Sequence, residues 1–244
     1  MILSWPACSA PTVNKCRGYF VTGIDTGVGK TAVTLGLMQA LQQQGRTVAA
    51  MKPVAAGCEL TATGLRNADA LQLQQQASVK LDYELINPYA FAPAIAPHIA
   101  ADQVGITINT KEIVNKYNEI ENNADCVLVE GVGGWQVPLN EVETLADLAR
   151  LMGLDVIMVV AVRLGCLNHA LLTAESITAA GCTLAGWVAN QLPVVPECAQ
   201  ENIKSIKSRI SSPLLGVLPV MQEVSAGVVA ENLSLTSLVN SRTN

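Results

Sequence analysis

Short apolar runs alternate with amphipathic stretches along most of this chain. The apolar runs are bounded by Gly, Pro or charged residues and predict buried strands at 19–22, 47–51, 126–129, 155–162, 183–190 and 214–219. Between them, apolar residues recur at helical spacing and predict helices at 30–44, 67–77, 111–121, 145–151, 168–180 and 197–210. Because strands and helices alternate, we expect an α/β fold: a single doubly wound, mostly parallel sheet with helices on both faces.

Three stretches lack a clear period. Residues 53–66 are rich in Gly, Thr and Ala, and we expect a loop there. Residues 86–109 contain several prolines and are expected to form an ordered loop over one face of the sheet. Residues 1–18 read as a poorly ordered N-terminal extension, which leaves 19–244 as a single domain.

Composition narrows the functional class. Half of the 244 residues are hydrophobic and 14% are charged, which suits one domain with a largely buried sheet. The net charge is −5 and no basic block is present, so no nucleic-acid partner is expected. The apolar runs are too short to cross a membrane, and the N-terminus lacks the pattern of a signal peptide. Seven cysteines without a C-x-x-C pair favour a reducing, cytoplasmic location over disulfides or a zinc site.

A glycine-rich loop connects the first predicted strand to the first predicted helix. It reads Gly23-Ile-Asp-Thr-Gly-Val-Gly-Lys-Thr31, the layout of a phosphate-binding P-loop. Glycines let successive backbone N–H groups point at a phosphate, and the helix that follows adds its positive end. Lys30 would neutralise the β- and γ-phosphates, and the Thr31 hydroxyl would ligate Mg²⁺. We therefore expect a P-loop NTPase type of sheet.

The spacing of this loop departs from the usual G-x-x-x-x-G-K-[ST] pattern by one residue. Counting back from Gly29, the first glycine should stand at position 24, which is Ile24, whereas Gly23 lies one residue earlier. An ordinary glycine-rich turn that carries Lys and Thr is the alternative. The flanking strand and helix both fit a P-loop, which favours the phosphate-binding interpretation.

Other candidate residues follow the remaining predicted strands. The carboxyl ends of parallel strands share one edge of a sheet, so Lys52, Glu130 and Asn190 should lie on the side of the P-loop. Glu130 either holds Mg²⁺ or marks the exit of its strand to solvent. Lys52 is either a surface lysine or a cation that stabilises charge in phosphoryl transfer. Asn190 either caps a turn or recognises a purine edge.

Three further features leave alternatives open. Asp69 in a first helical turn is either an acid favoured by the helix dipole or a second carboxylate near Mg²⁺. The glycines at 131, 133 and 134 form either a tight turn only or a backbone approach to a ligand. His98 and His169 have no partner at ligand spacing, so we expect core or surface roles rather than metal binding.

Together these residues make the chain resemble the ATP-dependent dethiobiotin synthetase family over about residues 19–220. The matching segments lie in order at 20–31, 52–57, 64–70, 87–91, 97–99, 129–135, 164–170, 186–190 and 215–219. They include Lys-Pro-Val-Ala-Ala-Gly, Glu-Gly-Val-Gly-Gly-Trp and Leu-Gly-Cys-Leu-Asn-His-Ala.

The resemblance implies an ATP- and Mg²⁺-dependent ligase of biotin biosynthesis that works as a homodimer. The family converts 7,8-diaminononanoate and CO₂ to dethiobiotin through a carbamate and a carbamic–phosphoric anhydride. Such chemistry needs positioning and charge neutralisation more than a protein nucleophile.

The resemblance also implies roles for particular residues. The catalytic residues would be Lys52, Lys30 and Thr26. The metal ligands would be Thr31, Asp69 and Glu130. ATP would be bound by Gly27, Val28, Gly29, Lys30, Thr31, Ala32, Asp69, Glu130, Gly131, Val132, Gly133, Asn190, Gln191, Pro219, Val220 and Met221. The diamine and its carbamate would be bound by Thr26, Lys52, Ala56, Gly133 and, across the dimer, by Leu164, Cys166 and Asn168.

Two positions depart from the family pattern. Ala56 stands where the family commonly has Ser, which removes one possible hydrogen bond worth on the order of 1 kcal/mol. Ile24 replaces a Thr that is often found in the loop. The first 18 residues align with no part of the family.

The nearest alternative is a partition or positioning ATPase of the deviant P-loop group, which acts as a switch. Those proteins carry a second lysine in the loop, and here that position is Asp25. They would also need a basic or amphipathic surface. An amide-forming ligase on a cobalamin precursor would need a glutaminase domain for which the chain leaves little room. A third alternative is a nucleotide-binding protein that keeps the fold without turnover. The intact site residues argue against it, namely Lys30, Thr31, Glu130 and Lys52.

Overall fold

The structure is a computed structural model that describes residues 18–194, 196–223 and 225–240. Except for Gly18, the predicted N-terminal extension lies outside the described residues. Ten strands are present in the described part: β1 (Tyr19–Gly23), β2 (Val48–Met51), β3 (Val54–Ala56), β4 (Glu59–Thr61), β5 (Gly64–Arg66), β6 (Tyr89–Phe91), β7 (Cys126–Glu130), β8 (Asp155–Ala161), β9 (Leu184–Asn190) and β10 (Leu214–Leu218).

Ten helices complete the described fold. They are α1 (Lys30–Gln43), α2 (Ala68–Gln76), α3 (Tyr83–Ile86), α4 (Pro97–Gln103), α5 (Thr110–Glu121), α6 (Leu145–Met152), α7 (Cys166–Ala179), α8 (Ala199–Lys207), α9 (Ala226–Glu231) and α10 (Thr236–Asn240). In the part of the chain that is described, no helix combines the length and the apolar character needed to cross a membrane.

Six strands form one central sheet in the order β10-β9-β8-β1-β7-β2, and every neighbouring pair is parallel. All residues of β1, β2 and β7 are buried, as expected for strands covered by helices on both faces. The helix α1 packs against all three of these strands, and α7 packs against β8 and β9. The predicted doubly wound α/β fold of the P-loop NTPase type is therefore confirmed.

The register of the sheet brings the predicted site residues to one edge. Val21 is paired with Glu130 across β1 and β7, and Met51 with Val129 across β2 and β7. The residue that follows Met51, Lys52, thus lies beside Glu130. The carboxyl ends of β1, β2 and β7 converge where the P-loop begins.

The two central loop predictions were wrong. Residues 53–66 contain β3 and the antiparallel β4–β5 hairpin, and 86–109 contain β6 and α4. The strands β3 and β6 pair with each other in parallel, with Val54 opposite Tyr89. Each has three residues, and their pairing joins distant parts of the chain, so local periodicity carries no signal for them. The short helix α3 was missed for the same reason.

The C-terminal helices were not predicted, and they close one face of α1. A Cβ atom on Gly36 of α1 would lie 2.1 Å from Val229 Cγ1 of α9. The phenol of Tyr19 donates a hydrogen bond of 3.1 Å to the carbonyl of Leu238. The helix that carries the P-loop lysine is thus held in place by the end of the described chain.

Candidate functional site

The P-loop has the backbone geometry of a phosphate cradle. Gly27 and Gly29 adopt positive φ angles of 70° and 91°, which side chains other than glycine rarely accept. Gly29 is the N-cap of α1, and no side chain caps that helix end. The first N–H groups of α1 are therefore free of intrahelical partners and available to an anion.

The one-residue offset of Gly23 has a structural reason. Gly23 is the last residue of β1, where the loop folds back on the strand. A Cβ atom at this position would lie 2.5 Å from Val28 Cγ2 and 3.3 Å from Lys30 Nζ. Glycine is therefore required at the strand end even though the standard spacing places it one residue later.

The P-loop forms one wall of a cavity of about 350 Å³. Half of the predicted site residues contribute to its lining, which comprises Thr26, Gly27, Gly29, Lys30, Thr31, Lys52, Ala55, Ala56, Asn67, Asp69, Glu130, Val132 and Gly133. The ends of β1, β2 and β7 and the first turn of α2 thus meet at one place, as the parallel topology requires.

Lys30 is held above the P-loop by backbone carbonyls. Its Nζ donates to the carbonyl of Gly133 at 2.6 Å and to that of Asp25 at 3.2 Å. Burial, together with the positive charge of Lys52, lowers the pKa of Lys30 to about 8 from 10.5. A bound phosphate would supply the negative charge that this ammonium lacks.

Four side chains below the P-loop form what we call the buried ion cluster: Thr31, Lys52, Asp69 and Glu130. Lys52 Nζ lies 2.5 Å from Glu130 Oε1 and 3.0 Å from Asp69 Oδ2. Thr31 Oγ1 donates to the same Glu130 Oε1 at 3.0 Å. The Glu130 side chain is 0% exposed, whereas that of Asp69 is 39% exposed and faces the opening.

The charges of the cluster stabilise one another. Burial alone would lower the pKa of Lys52, but Glu130 and Asp69 outweigh it, so the pKa is raised. Burial would raise the pKa of Asp69, but the charge of Lys52 outweighs it, so that pKa is lowered. Lys52 is thus a charged ammonium at neutral pH, as a role in neutralising phosphoryl transfer requires.

Residues that the sequence did not single out hold this cluster in position. Lys52 donates its backbone N–H to Ile86 at 2.8 Å, and Asn87 Nδ2 donates to the carbonyl of Lys52 at 2.7 Å. The Tyr83 hydroxyl donates to Asn87 Oδ1 at 2.9 Å and accepts from the backbone N–H of Asn67 at 2.7 Å. Asn67 in turn caps α2, the helix that carries Asp69.

This network, Asn67–Tyr83–Asn87, therefore positions both Lys52 and Asp69. The capping role of Asn67 could have been read from its place before an acidic first helical turn. No sequence signal points to Tyr83 or Asn87 as its partners.

The cluster has the chemistry of a magnesium site. Mg²⁺ prefers oxygen ligands and is commonly bound through one or two carboxylates. Thr31, Asp69 and Glu130 supply a hydroxyl and two carboxylates. Glu130 Oε2 is buried and accepts no hydrogen bond from the described residues, which leaves a lone pair for a ligand. The predicted ligands thus fit the ion.

The glycine-rich turn after β7 runs from the edge of the sheet to the wall of the cavity. Gly131 continues the sheet through a bond from its N–H to the carbonyl of Val21 at 2.9 Å. Gly133 lines the cavity with a φ of 63° and presents its carbonyl to Lys30. Gly131 thus extends the pairing of β7 with β1, and Gly133 lies in the wall of the cavity.

Asn190 braces the P-loop. Its Nδ2 donates to the carbonyl of Val28 at 2.9 Å, and a Cβ atom on Gly29 would lie 2.2 Å from the same nitrogen. The segment 219–221 lies at the end of the neighbouring strand and, like Gln191, does not line the cavity. Ala32 is buried in the first turn of α1. The predicted adenine contacts therefore lie at the same edge of the sheet as the P-loop but outside the cavity.

The remaining predicted substrate residues lie in the β8–α7 loop and in the first turn of α7. Leu164 is 98% exposed, Cys166 is 1% exposed, and Asn168 is exposed on the first turn of α7. None of the three lines the cavity of its own chain. Cys166 is part of the hydrophobic core.

At the start of the same loop, Arg163 forms an ion pair with Asp25, which we call the exposed pair. The N–H of Thr26, followed by Arg163, lowers the pKa of Asp25. Asp25 stands where switch ATPases carry their second lysine. Neither histidine lines the cavity, and the described residues contain no group of three or more His, Cys, Asp or Glu that could hold a metal.

The site combines a strand, a glycine-rich loop, a buried lysine at the start of a helix and a glutamate at the end of a neighbouring strand. This combination defines a P-loop nucleotide-binding protein. Residues 17–227 match the protein family described as "AAA domain". The chain is 49% identical over 221 residues to the ATP-dependent dethiobiotin synthetase BioD of Pseudomonas aeruginosa, covering 90% of this chain and 97% of that protein. It is 47% identical over 224 residues to the BioD of Cellvibrio japonicus, covering 92% and 98%. The chain belongs to the ATP-dependent dethiobiotin synthetase family.

Solved structures extend the fold comparison. The MinC:MinD cell division protein complex of Aquifex aeolicus matches with a TM-score of 0.53 at 16% identity, covering 92% of this chain and 88% of that one. The MinD protein of the same organism matches with a TM-score of 0.52 at 16% identity, covering 89% and 87%. At this identity the likeness shows the fold alone.

Proposed function

We propose that this protein joins CO₂ to 7,8-diaminononanoate and closes the ring of dethiobiotin, with ATP and Mg²⁺. The observation that carries the proposal is the meeting of Lys30, Lys52, Asp69 and Glu130 in one cavity beside the P-loop. Membership of the dethiobiotin synthetase family supports the same reaction.

The reaction needs no protein nucleophile. An amine nitrogen of the diamine attacks the carbon of CO₂ and loses a proton, which gives a carbamate. A carbamate oxygen attacks the γ-phosphorus of ATP, and ADP leaves. The second amine attacks the carbamoyl carbon, its proton is lost, and phosphate leaves as the cyclic urea closes. Each step builds or moves negative charge close to the phosphates.

The residues of the cavity match these demands. Lys30 and the N–H groups of the P-loop hold the phosphates, while Lys52 stabilises the carbamate and the transferred phosphoryl group. Thr26 and Gly133 flank the position of the carbamate. When bound by Thr31, Asp69 and Glu130, Mg²⁺ neutralises charge on the β- and γ-phosphates.

The protein acts as a homodimer in this proposal, with the diamine between subunits. Leu164, at 98% exposure in the β8–α7 loop, and Asn168, exposed in the first turn of α7, do not line the cavity of their own chain, which supports a role in the partner's site. Cys58, Cys166, Cys182 and Cys198 carry thiols rather than disulfides, which supports a cytoplasmic location.

The test is ADP release with ATP, Mg²⁺, bicarbonate and diaminononanoate, with dethiobiotin measured in the same samples. We expect ADP release that depends on the diamine and matches dethiobiotin formed. A switch ATPase would release ADP at the same rate without the diamine, and that result would reject the proposal.

Lys52→Ala is expected to lower turnover by about 100-fold to 1000-fold while nucleotide still binds, since a charge-stabilising contact is lost. Steady-state kinetics and nucleotide titration measure the two effects separately. Lys80→Ala, at an exposed position, is the matched control. An unchanged rate in Lys52→Ala would remove Lys52 from the catalytic group.

A further inference from the structure

Lys52 occupies the place where the metal ligands converge. Its Nζ contacts Glu130 Oε1 at 2.5 Å and Asp69 Oδ2 at 3.0 Å, and these two carboxylates are the proposed magnesium ligands. The third ligand, Thr31, donates its hydroxyl proton to Glu130 Oε1 at 3.0 Å. In this arrangement, Glu130 Oε1 and Asp69 Oδ2 face the ammonium group, and Glu130 Oε2 accepts no hydrogen bond from the described residues.

The charge of Glu130 makes some cation necessary at this position. Its side chain is 0% exposed, and an ionised carboxylate away from water is very costly without a direct counter-ion. The Nζ of Lys30 donates instead to the carbonyls of Asp25 and Gly133 and acts on the carboxylates from a greater distance. Lys52 is therefore the direct counter-ion of the carboxylates in the nucleotide-free arrangement.

A divalent cation that bound Glu130 Oε1 and Asp69 Oδ2 would compete with the Lys52 ammonium for these two oxygens. Mg²⁺ binds about six oxygen ligands at about 2.0–2.1 Å and would need such oxygens. The two positive charges would also repel each other. Lys52, by contrast, has a flexible stem with three rotatable donors and borders a cavity of about 350 Å³ into which it can turn.

We propose that Lys52 has a second role as a place-holder for the divalent cation: it neutralises Glu130 and Asp69 until the metal arrives with the nucleotide, and the exchange releases its ammonium to the reacting groups. The movement of the ammonium to the reacting groups rests on the proposed function. The exchange between ammonium and metal does not. The nucleotide-free protein accordingly binds divalent cations weakly. Binding of the metal and release of the Lys52 ammonium occur in one step.

The test is metal binding without nucleotide, substrate or turnover. Mn²⁺ is titrated into the nucleotide-free protein, and free Mn²⁺ is followed by electron paramagnetic resonance. Lys52→Met keeps most of the stem and removes the charge, so the carboxylates are left without their counter-ion. We expect Lys52→Met to bind Mn²⁺ at least about tenfold more tightly than the unaltered protein.

Lys80→Met removes an exposed lysine and is the matched control, with Mn²⁺ affinity unchanged. Equal or weaker Mn²⁺ binding by Lys52→Met would overturn the proposal, because it would mean that the metal uses Glu130 Oε2 while Lys52 stays in place. Lys52→Arg keeps the positive charge and is expected to keep the weak affinity.

Thermal melting with and without Mn²⁺ provides a second measurement if Lys52→Met is too unstable to titrate. We expect Mn²⁺ to raise the melting temperature of Lys52→Gln by more than it raises that of the unaltered protein. An equal shift in both would again overturn the exchange. If the proposed function is wrong, the ADP-release assay will show ADP release that is independent of the diamine. That result would not change the Mn²⁺ measurements.

Discussion

Two ionic contacts at the same edge of the sheet differ in how much water reaches them. The buried ion cluster joins β2, β7 and the helices α1 and α2, with Lys52 and Glu130 at 5% and 0% side-chain exposure. The exposed pair joins the P-loop to the β8–α7 loop, with Arg163 and Asp25 at 45% and 46%. Both are salt bridges by geometry, yet only the first has two partners whose side chains are almost fully buried.

The difference teaches that depth, rather than proximity, decides what an ionic contact does. An exposed pair contributes about 0–1 kcal/mol, since water solvates either partner when the other is removed. A buried pair adds little net stability, but the removal of one partner costs about 3–5 kcal/mol. The cluster is thus suited to respond to a new cation, whereas the pair is suited to orient a loop.

The strongest way to break this comparison is to remove the ammonium from the cluster. Lys52→Met is expected to lower the free energy of unfolding by about 3–5 kcal/mol without divalent cations, because Glu130 loses its contact. Urea denaturation near neutral pH measures it. Lys52→Met combined with Glu130→Gln leaves no carboxylate on that strand end and should recover part of the loss. A single-variant loss as small as that of an exposed pair would contradict the argument.

Lys30 adds a pH test. Its pKa is about 8 in the folded protein against an ordinary value of 10.5, so between these values the unfolded chain holds a proton that the folded chain has released. The free energy of unfolding therefore gains from Lys30 as pH rises through this window, by up to about 3 kcal/mol, and is flat below it.

Urea midpoints of the unaltered protein and of Lys30→Met, measured from about pH 7 to about pH 10, isolate this contribution. The difference between the two proteins should shift in favour of the unaltered one as pH rises. Parallel curves would show that Lys30 has no lowered pKa.

Two glycines of the P-loop also differ in how closely other atoms surround them. Both have positive φ, but a Cβ on Gly29 would meet Asn190 Nδ2 at 2.2 Å, whereas nothing lies within 4 Å of one on Gly27. Gly27→Ala should cost about 1 kcal/mol from backbone strain, and Gly29→Ala about 2 kcal/mol or more because Asn190 must move as well. Thermal melting compares them, and equal losses would show that the contact with Asn190 is not restrictive.

The smallest effect is expected at the exposed pair. Asp25→Asn should change the free energy of unfolding by less than about 1 kcal/mol, and less still in high salt, because solvent screens the pair. The lowered pKa of Asp25 means that its contribution is present above its unfolded pKa and is lost as pH falls through the folded one. Denaturation at low and high salt measures it, with Arg163→Gln as the reciprocal variant. A loss as large as that of Lys52→Met would remove the distinction between the two contacts.

Much of the fold could be predicted because its signals are local. Each central strand is a short apolar run, and the P-loop marks its own strand and helix by glycines and Lys30. The parallel topology predicted that Lys52 and Glu130 lie at the same edge of the sheet, because both follow the carboxyl end of a strand. The ion pair between them was not predicted, since it depends on β7 lying next to β2.

The missed features depend on contacts between distant parts of the chain. The pairing of β3 with β6 and the Asn67–Tyr83–Asn87 network join segments that are individually short and irregular. The helix α9 is placed by a groove at Gly36, which a local pattern cannot show. Those contacts hold Lys52, Asp69 and α1, so the sequence predicted the position of Lys52 and Glu130 at one sheet edge more readily than the contacts that hold the cluster in place.

The strand order also sets when this protein becomes competent during synthesis. The first two strands are not neighbours, because β7, which begins only at Cys126, is inserted between them. The β1–β7–β2 part of the sheet can therefore form only after β7 has been synthesised, and the bond from Asn190 to Val28 only later still. The P-loop is thus synthesised long before the strand beside it and the side chain that holds it.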